Sequence, residues 1–234
     1  MEEIKTFLES KEEIKNNYEI LMVNHPKIEE QYGVISIIKI KLNNKSNTPL
    51  LVFPGYSNNS FKSGFDVVLT GLDHLKTKYS VMYFVCWGLT IKQLSKDFSS
   101  GAKNQEEEFK LNDELKLKIA KVFDKILRSP DMELTNITLL CKSAGGGVGI
   151  FLTSMNSEIK NLFMAAPALT ARGTPLADRK DLNIKLSWCK DDPDIPYKIC
   201  KEFIVDFKKQ GNKYKFYSYD KGGHEFNSEF IKVF

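Results

Sequence analysis

The chain has 234 residues, 42% of them apolar, and its 34 basic and 30 acidic side chains leave a net charge of +4. That length suits one domain and that apolar share a sizeable core, which excludes a disordered or fibrous chain. The longest apolar stretch, Val81–Leu89, is half of what a membrane span needs, and Met1-Glu2-Glu3 lacks the basic-then-apolar order of a signal peptide.

Residues 1–22 read as a charged amphipathic helix, with Ile4, Phe7, Leu8, Ile14 and Tyr18 near helical spacing. Residues 1–30 are accordingly expected to form an N-terminal helical extension of a single domain covering 1–234. Beyond Tyr32 the period becomes two. Ile38, Ile40 and Leu42 alternate with Lys39 and Lys41, which predicts a strand wet on one face, at an edge or in a hairpin. Leu50–Phe53, Val81–Trp87, Ile137–Cys141, Leu162–Ala166 and Ile184–Cys189 are nearly continuous apolar runs. Such strands are covered on both faces, as in a parallel sheet between helical layers. The clearest helix runs from Gln105 to Arg128, where Leu111, Leu115, Ile119, Val122 and Ile126 make one stripe and Pro130 follows as a stop. A last strand at Lys213–Tyr219 precedes a short C-terminal helix. The predicted class is α/β, a mostly parallel central sheet flanked by helices on both faces.

Cysteine and basic residues exclude further classes. Cys86, Cys141, Cys189 and Cys200 are scattered without a CxxC pair, so no zinc site or thioredoxin motif is signalled, and free thiols imply a reducing, cytoplasmic setting. Only Arg128, Arg172 and Arg179 are arginines, which speaks against nucleic-acid reading. Lys208, Lys209, Lys213 and Lys215 read as a solvated face.

The most informative segment is Ile137-Thr138-Leu139-Leu140-Cys141-Lys142-Ser143-Ala144-Gly145-Gly146-Gly147. A strand runs into a sharp turn with Ser143 at its tip, and a helix leaves at once. Small neighbours suit a strained turn where backbones pass closely, and the helix N-terminus aims backbone N–H groups at an oxyanion. A phosphate-binding reading is weaker, because the Lys-Ser/Thr of a Walker loop and the G-x-G-x-x-G spacing are both missing. Cys141, two residues before the tip, is an improbable nucleophile.

This segment resembles the nucleophile elbow of the α/β-hydrolase family, G-x-S-x-G between strand and helix, with Cys141 at the first glycine. Of three histidines, His25 precedes the sheet and His74 lies in a predicted helix. His224, in Lys221-Gly222-Gly223-His224, follows the last strand and resembles the family's base loop. The acid is expected after the penultimate strand, in Asp191-Asp192-Pro193-Asp194. The family register selects Asp192, with Asp191 as runner-up and Asp194 better placed to cap the next helix. An EF-hand reading fails for want of the downstream glycine and glutamate. Ser143, Asp192 and His224 follow the family's chain order.

The resemblance also implies an oxyanion hole made by the Ala144 N–H and by the Tyr56 N–H in Phe53-Pro54-Gly55-Tyr56, where Pro54 stands for the family's His. The short connection from Ala166 to Ile184 leaves no room for a large cap domain, while Trp87–Asn104 could fold over the site. The implied activity is a serine hydrolase cleaving small-molecule carboxylic esters or thioesters, with no metal or organic cofactor. A non-catalytic binding protein of the same fold is the alternative, because Cys141 and Pro54 depart from the family pattern. Neither nucleic acid nor a membrane span is implied. Oligomeric state stays open.

Overall fold

Near-continuous apolar strands separated by amphipathic helices assemble into one eight-stranded sheet. The structure is a computed structural model that describes residues 2–22, 36–42, 46–55, 58–86, 100–129, 132 and 134–233. In chain order the strands are β1 (Tyr18–Met22), β2 (Ser36–Lys41), β3 (Pro49–Phe53), β4 (Val81–Cys86), β5 (Ile137–Lys142), β6 (Ile159–Ala165), β7 (Asn183–Cys189) and β8 (Tyr214–Tyr219). The helices are α1 (Glu2–Glu9), α2 (Asn58–Thr70), α3 (Leu72–Lys76), α4 (Gln105–Leu127), α5 (Ser143–Met155), α6 (Lys198–Gln210) and α7 (Ser228–Ile231). The spatial order is β1-β2-β4-β3-β5-β6-β7-β8. β2 runs against both neighbours, and every pairing from β4 onwards to β8 is parallel.

Alternation along the central strands divides the core into two layers. Leu51 and Phe53 of β3 and Leu139 and Cys141 of β5 face α4, α5 and α6. Leu50 and Val52 of β3 and Leu140 of β5 face α1, α2, α3 and α7. Two covered faces explain why these strands read as unbroken apolar runs rather than as alternating ones.

The N-terminal expectation is corrected. The helix ends at Glu9, and Tyr18–Met22 is a strand paired with β2, Tyr18 opposite Ile40 and Ile20 opposite Ile38. Tyr18 and Ile20 pack into the α1/α2 layer while Leu21 packs into the other, a period of two that a five-residue segment cannot reveal by itself. β2 therefore lies one strand in from the edge. Between β6 and β7 the only helical element is a 3₁₀ turn, Thr174–Leu176, so no large cap domain stands there. Residues 87–99, which include most of the loop proposed to cover the site, lie outside the described residues. Among the described residues, no helix is long and apolar enough to cross a membrane.

Candidate active site

All six residues of β5 are buried, and the chain turns at Ser143, where α5 begins. Ser143 has φ +52°, the left-handed region that costs a non-glycine residue about 1–2 kcal/mol. Neighbouring backbone holds it there. The Ala168 N–H donates to the Ser143 carbonyl at 2.7 Å. A Cβ at Gly145 would stand 2.2 Å from the Pro54 carbonyl oxygen and 2.6 Å from that of Phe53, so the loop after β3 sits directly on the turn. Helix propensity alone would favour Gly145→Ala by about 1 kcal/mol. The backbone clash reverses that sign, and urea unfolding is expected to show a net loss of about 1–3 kcal/mol.

The departure at Cys141 has a compensating partner. Its side chain is fully buried and points at α5, where a Cβ on Gly149 would lie 2.8 Å from the sulfur. The bulk absent at 149 makes room for the bulk present at 141. Burial pushes the Cys141 thiol well above its ordinary range, which removes it as a nucleophile. Iodoacetamide is expected to leave Cys141 unmodified in the folded protein and to alkylate it in urea, read by peptide mass.

The loop after β7 is organised by its own polar groups. Trp188, buried at the end of β7, donates from Nε1 to the Ile195 carbonyl. Asp192 Oδ1 accepts from the Asp194 and Ile195 N–H groups at 2.9 and 2.8 Å, a local turn that freezes the carboxylate. Its other oxygen, Oδ2, accepts from His224 Nδ1 at 2.8 Å, and the Asp192 side chain is only 1% exposed. A carboxylate on Nδ1 fixes the tautomer in which Nε2 carries the lone pair.

Asp191, the runner-up for the acid, serves the backbone instead. It accepts from the Gly222 and Gly223 N–H groups at 3.3 and 2.8 Å, which tethers the histidine loop to the β7 loop. Gly222, at φ +142° and with Cys189 Sγ 2.6 Å from where a Cβ would stand, has no room for any other residue. The capping expectation for Asp194 is not met: α6 starts at Lys198, and its first-turn flank, Tyr197, makes no side-chain cap. His74 lies on α3, and His25 is outside the described residues.

Two residues that the motifs do not single out complete the arrangement. Lys142, immediately before Ser143, is 1% exposed and its Nζ donates to Glu225 Oε2 at 2.6 Å. Glu225 immediately follows His224. The signal available in sequence was a lysine inside one motif and a glutamate beside another. The Ala144 N–H lies in the first turn of α5, where it has no intrahelical acceptor. Tyr56, the other expected oxyanion donor, is outside the described residues.

A cavity of about 380 Å³ opens beside Ala144, walled by Phe109, Pro167, Leu169, Ile195 and the stem of Lys116. Lys116 crosses Gly147 and donates to Asp113 at 2.9 Å, and burial pushes its ammonium below the usual lysine range. The volume lies within the range that small organic ligands occupy.

Strand order, a left-handed serine between β5 and α5, and a histidine held by a buried carboxylate together characterise this chain. A predicted CIB-like hydrolase from Thermoplasma acidophilum superposes with a TM-score of 0.59 at 15% identity, covering 92% of this chain and 95% of that one. The protein has the α/β-hydrolase fold. A CE1 ferulic acid esterase from Anaeromyces mucronatus matches this chain with TM-score 0.59 and 12% identity over 92% of it and 87% of the esterase. A puromycin-hydrolyzing peptidase from Mycobacterium tuberculosis matches over 92% of this chain but only 37% of its own length, at 11% identity and TM-score 0.59. No protein-family model and no curated protein matches the sequence.

Proposed function

We propose that this α/β-hydrolase-fold protein is a serine hydrolase that cleaves carboxylic esters or thioesters through an acyl-enzyme on Ser143. The observation that carries the reading is the His224–Asp192 hydrogen bond, which orients an imidazole with its free nitrogen turned away from a buried carboxylate. Nε2 of His224 takes the Ser143 hydroxyl proton as Oγ attacks the carbonyl carbon. The tetrahedral oxyanion is stabilised by the Ala144 N–H at the positive end of α5 and, from the loop after β3, by the Tyr56 N–H. Collapse breaks the bond to the alkoxide or thiolate, which receives the proton from His224. Water, deprotonated by the same imidazole, then releases the acid and restores Ser143.

The cavity beside Ala144 accounts for substrate size. A carbonyl whose oxygen rests on the Ala144 N–H would send one substituent between Pro167, Leu169 and Ile195. Pro167, Leu169 and Ile195 are apolar, which suits an acyl ester with a compact hydrophobic group, while Lys116, Arg172 and Asp194 add charge elsewhere in the lining. The test is a fluorophosphonate probe followed by peptide mass. An activated serine displaces fluoride and forms an Oγ–P bond, so the adduct is expected on Ser143. A folded protein that stays unlabelled would instead favour the non-catalytic binding alternative.

A further inference from the structure

We propose that Lys142 and Glu225 are positioning residues, an ion pair that fastens the base loop to the nucleophile elbow and so sets the approach of His224 to Ser143. This deepens the serine-hydrolase reading and rests on it. β5, which carries Ser143, and β8, which leads to His224, are separated by β6 and β7. At about 4.8 Å per strand the histidine loop must reach back roughly 14 Å across the sheet. It does so without regular secondary structure, through two glycines at positive φ.

The polar anchors of this loop divide by what they hold. The Asp191 bonds to Gly222 and Gly223 and the Asp192 bond to His224 tie it to the loop after β7. Phe226 buries itself over Gly64 of α2, in the opposite core layer. None of these hydrogen bonds is made to a residue of β5. The Lys142–Glu225 contact is, and it joins the residue before Ser143 to the residue after His224 at 2.6 Å. Lys142 is buried to 1% exposure, while Glu225 keeps nearly half of its side chain in solvent. An ammonium taken that far out of water needs a partner, which makes the contact directional: Lys142 can relax only towards the loop.

The experiment compares wild type, Lys142→Met, Glu225→Gln, Glu225→Asp and the Lys142→Met/Glu225→Gln double variant. Methionine fills the lysine channel and leaves only a hydrated glutamate behind, so Lys142→Met is the variant that keeps the fold. Four readouts are taken: melting temperature, kcat and KM on 4-nitrophenyl acetate, the rate of fluorophosphonate labelling, and amide exchange of residues 220–227. For Lys142→Met we expect KM within about twofold of wild type, with kcat and labelling rate down about tenfold to a hundredfold, the scale of an ångström-sized misplacement. Loop exchange is expected to quicken. The double variant should be no slower than the slower single, and Glu225→Asp should recover part of what Glu225→Gln loses.

Wild-type kcat, labelling and loop exchange in Lys142→Met would overturn the proposal. So would a fall in melting temperature with kcat untouched, since that is a purely structural tie. Should wild type itself resist the probe, the serine-hydrolase reading fails, and loop exchange alone decides the anchor: faster in Lys142→Met upholds it, unchanged overturns it.

Discussion

Replacing Ser143 with alanine is expected to lower kcat/KM on small acyl esters by about 10⁵-fold, or roughly 7 kcal/mol of transition-state stabilisation. The loss is large because the proposed mechanism forms its acyl intermediate on Ser143. Cys141 is sealed in the core, and its thiol is pushed up by burial. The Ala144 N–H and the cavity remain, so a small residual rate above that of water is expected. His224→Ala should fall to a similar level. The double variant should fall no further, because nucleophile and base act as one unit. Melting temperatures close to wild type would assign these losses to chemistry. A Ser143→Ala protein with near-full esterase activity would end the assignment.

Asp192→Asn is the second large effect, and the structure dictates its direction. Oδ1 of Asp192 is occupied by the Asp194 and Ile195 N–H groups, while Oδ2 faces His224. An asparagine must keep its oxygen on those two donors, so its NH₂ turns to the imidazole. Nδ1 then has to accept, the proton moves to Nε2, and the base can no longer take a proton from Ser143. A loss of about 10³–10⁴-fold in kcat is expected with little change in stability. Asp191→Ala separates the two neighbouring carboxylates. It releases the Gly222 and Gly223 N–H groups, both exposed enough to find water, and should cost about 1 kcal/mol in unfolding experiments. Its effect on kcat should stay below tenfold. The reverse ranking of the two variants would make Asp191 the acid.

Much of this site was legible from local pattern. Ser143 sits in a strand-turn-helix with small residues on one side, and three glycines after Ala144 announce close backbone approach. His224 stood out because only three histidines compete and it alone follows the last predicted strand. The choice of Asp192 over Asp191 rested on the family register alone, not on local pattern. Adjacent carboxylates in one turn differ only in where the turn aims them, and the Asp194 and Ile195 amides settle that here. The Lys142–Glu225 pair was also invisible, because 83 residues separate its members and each alone reads as an ordinary charged residue. The N-terminal segment misled for a different reason. Tyr18–Met22 is too short to distinguish a period of two from 3.6, and β2 supplied the hydrogen bonds that made it a strand.

Hydrophobic periodicity by itself determined the α/β class and the covered central strands, and the short motifs after those strands carried the family resemblance that implies the order Ser143, Asp192, His224. Each of these depends only on residues close together in the chain, where steric and burial preferences act on short segments. Packing decided the rest: that Gly149 leaves space for Cys141, that Asp192 rather than Asp191 meets the imidazole, and that a buried lysine ties the turn at Ser143 to a loop arriving from three strands away. Those outcomes are contacts between segments far apart in sequence. Their free energy exists only once the sheet has closed the distance.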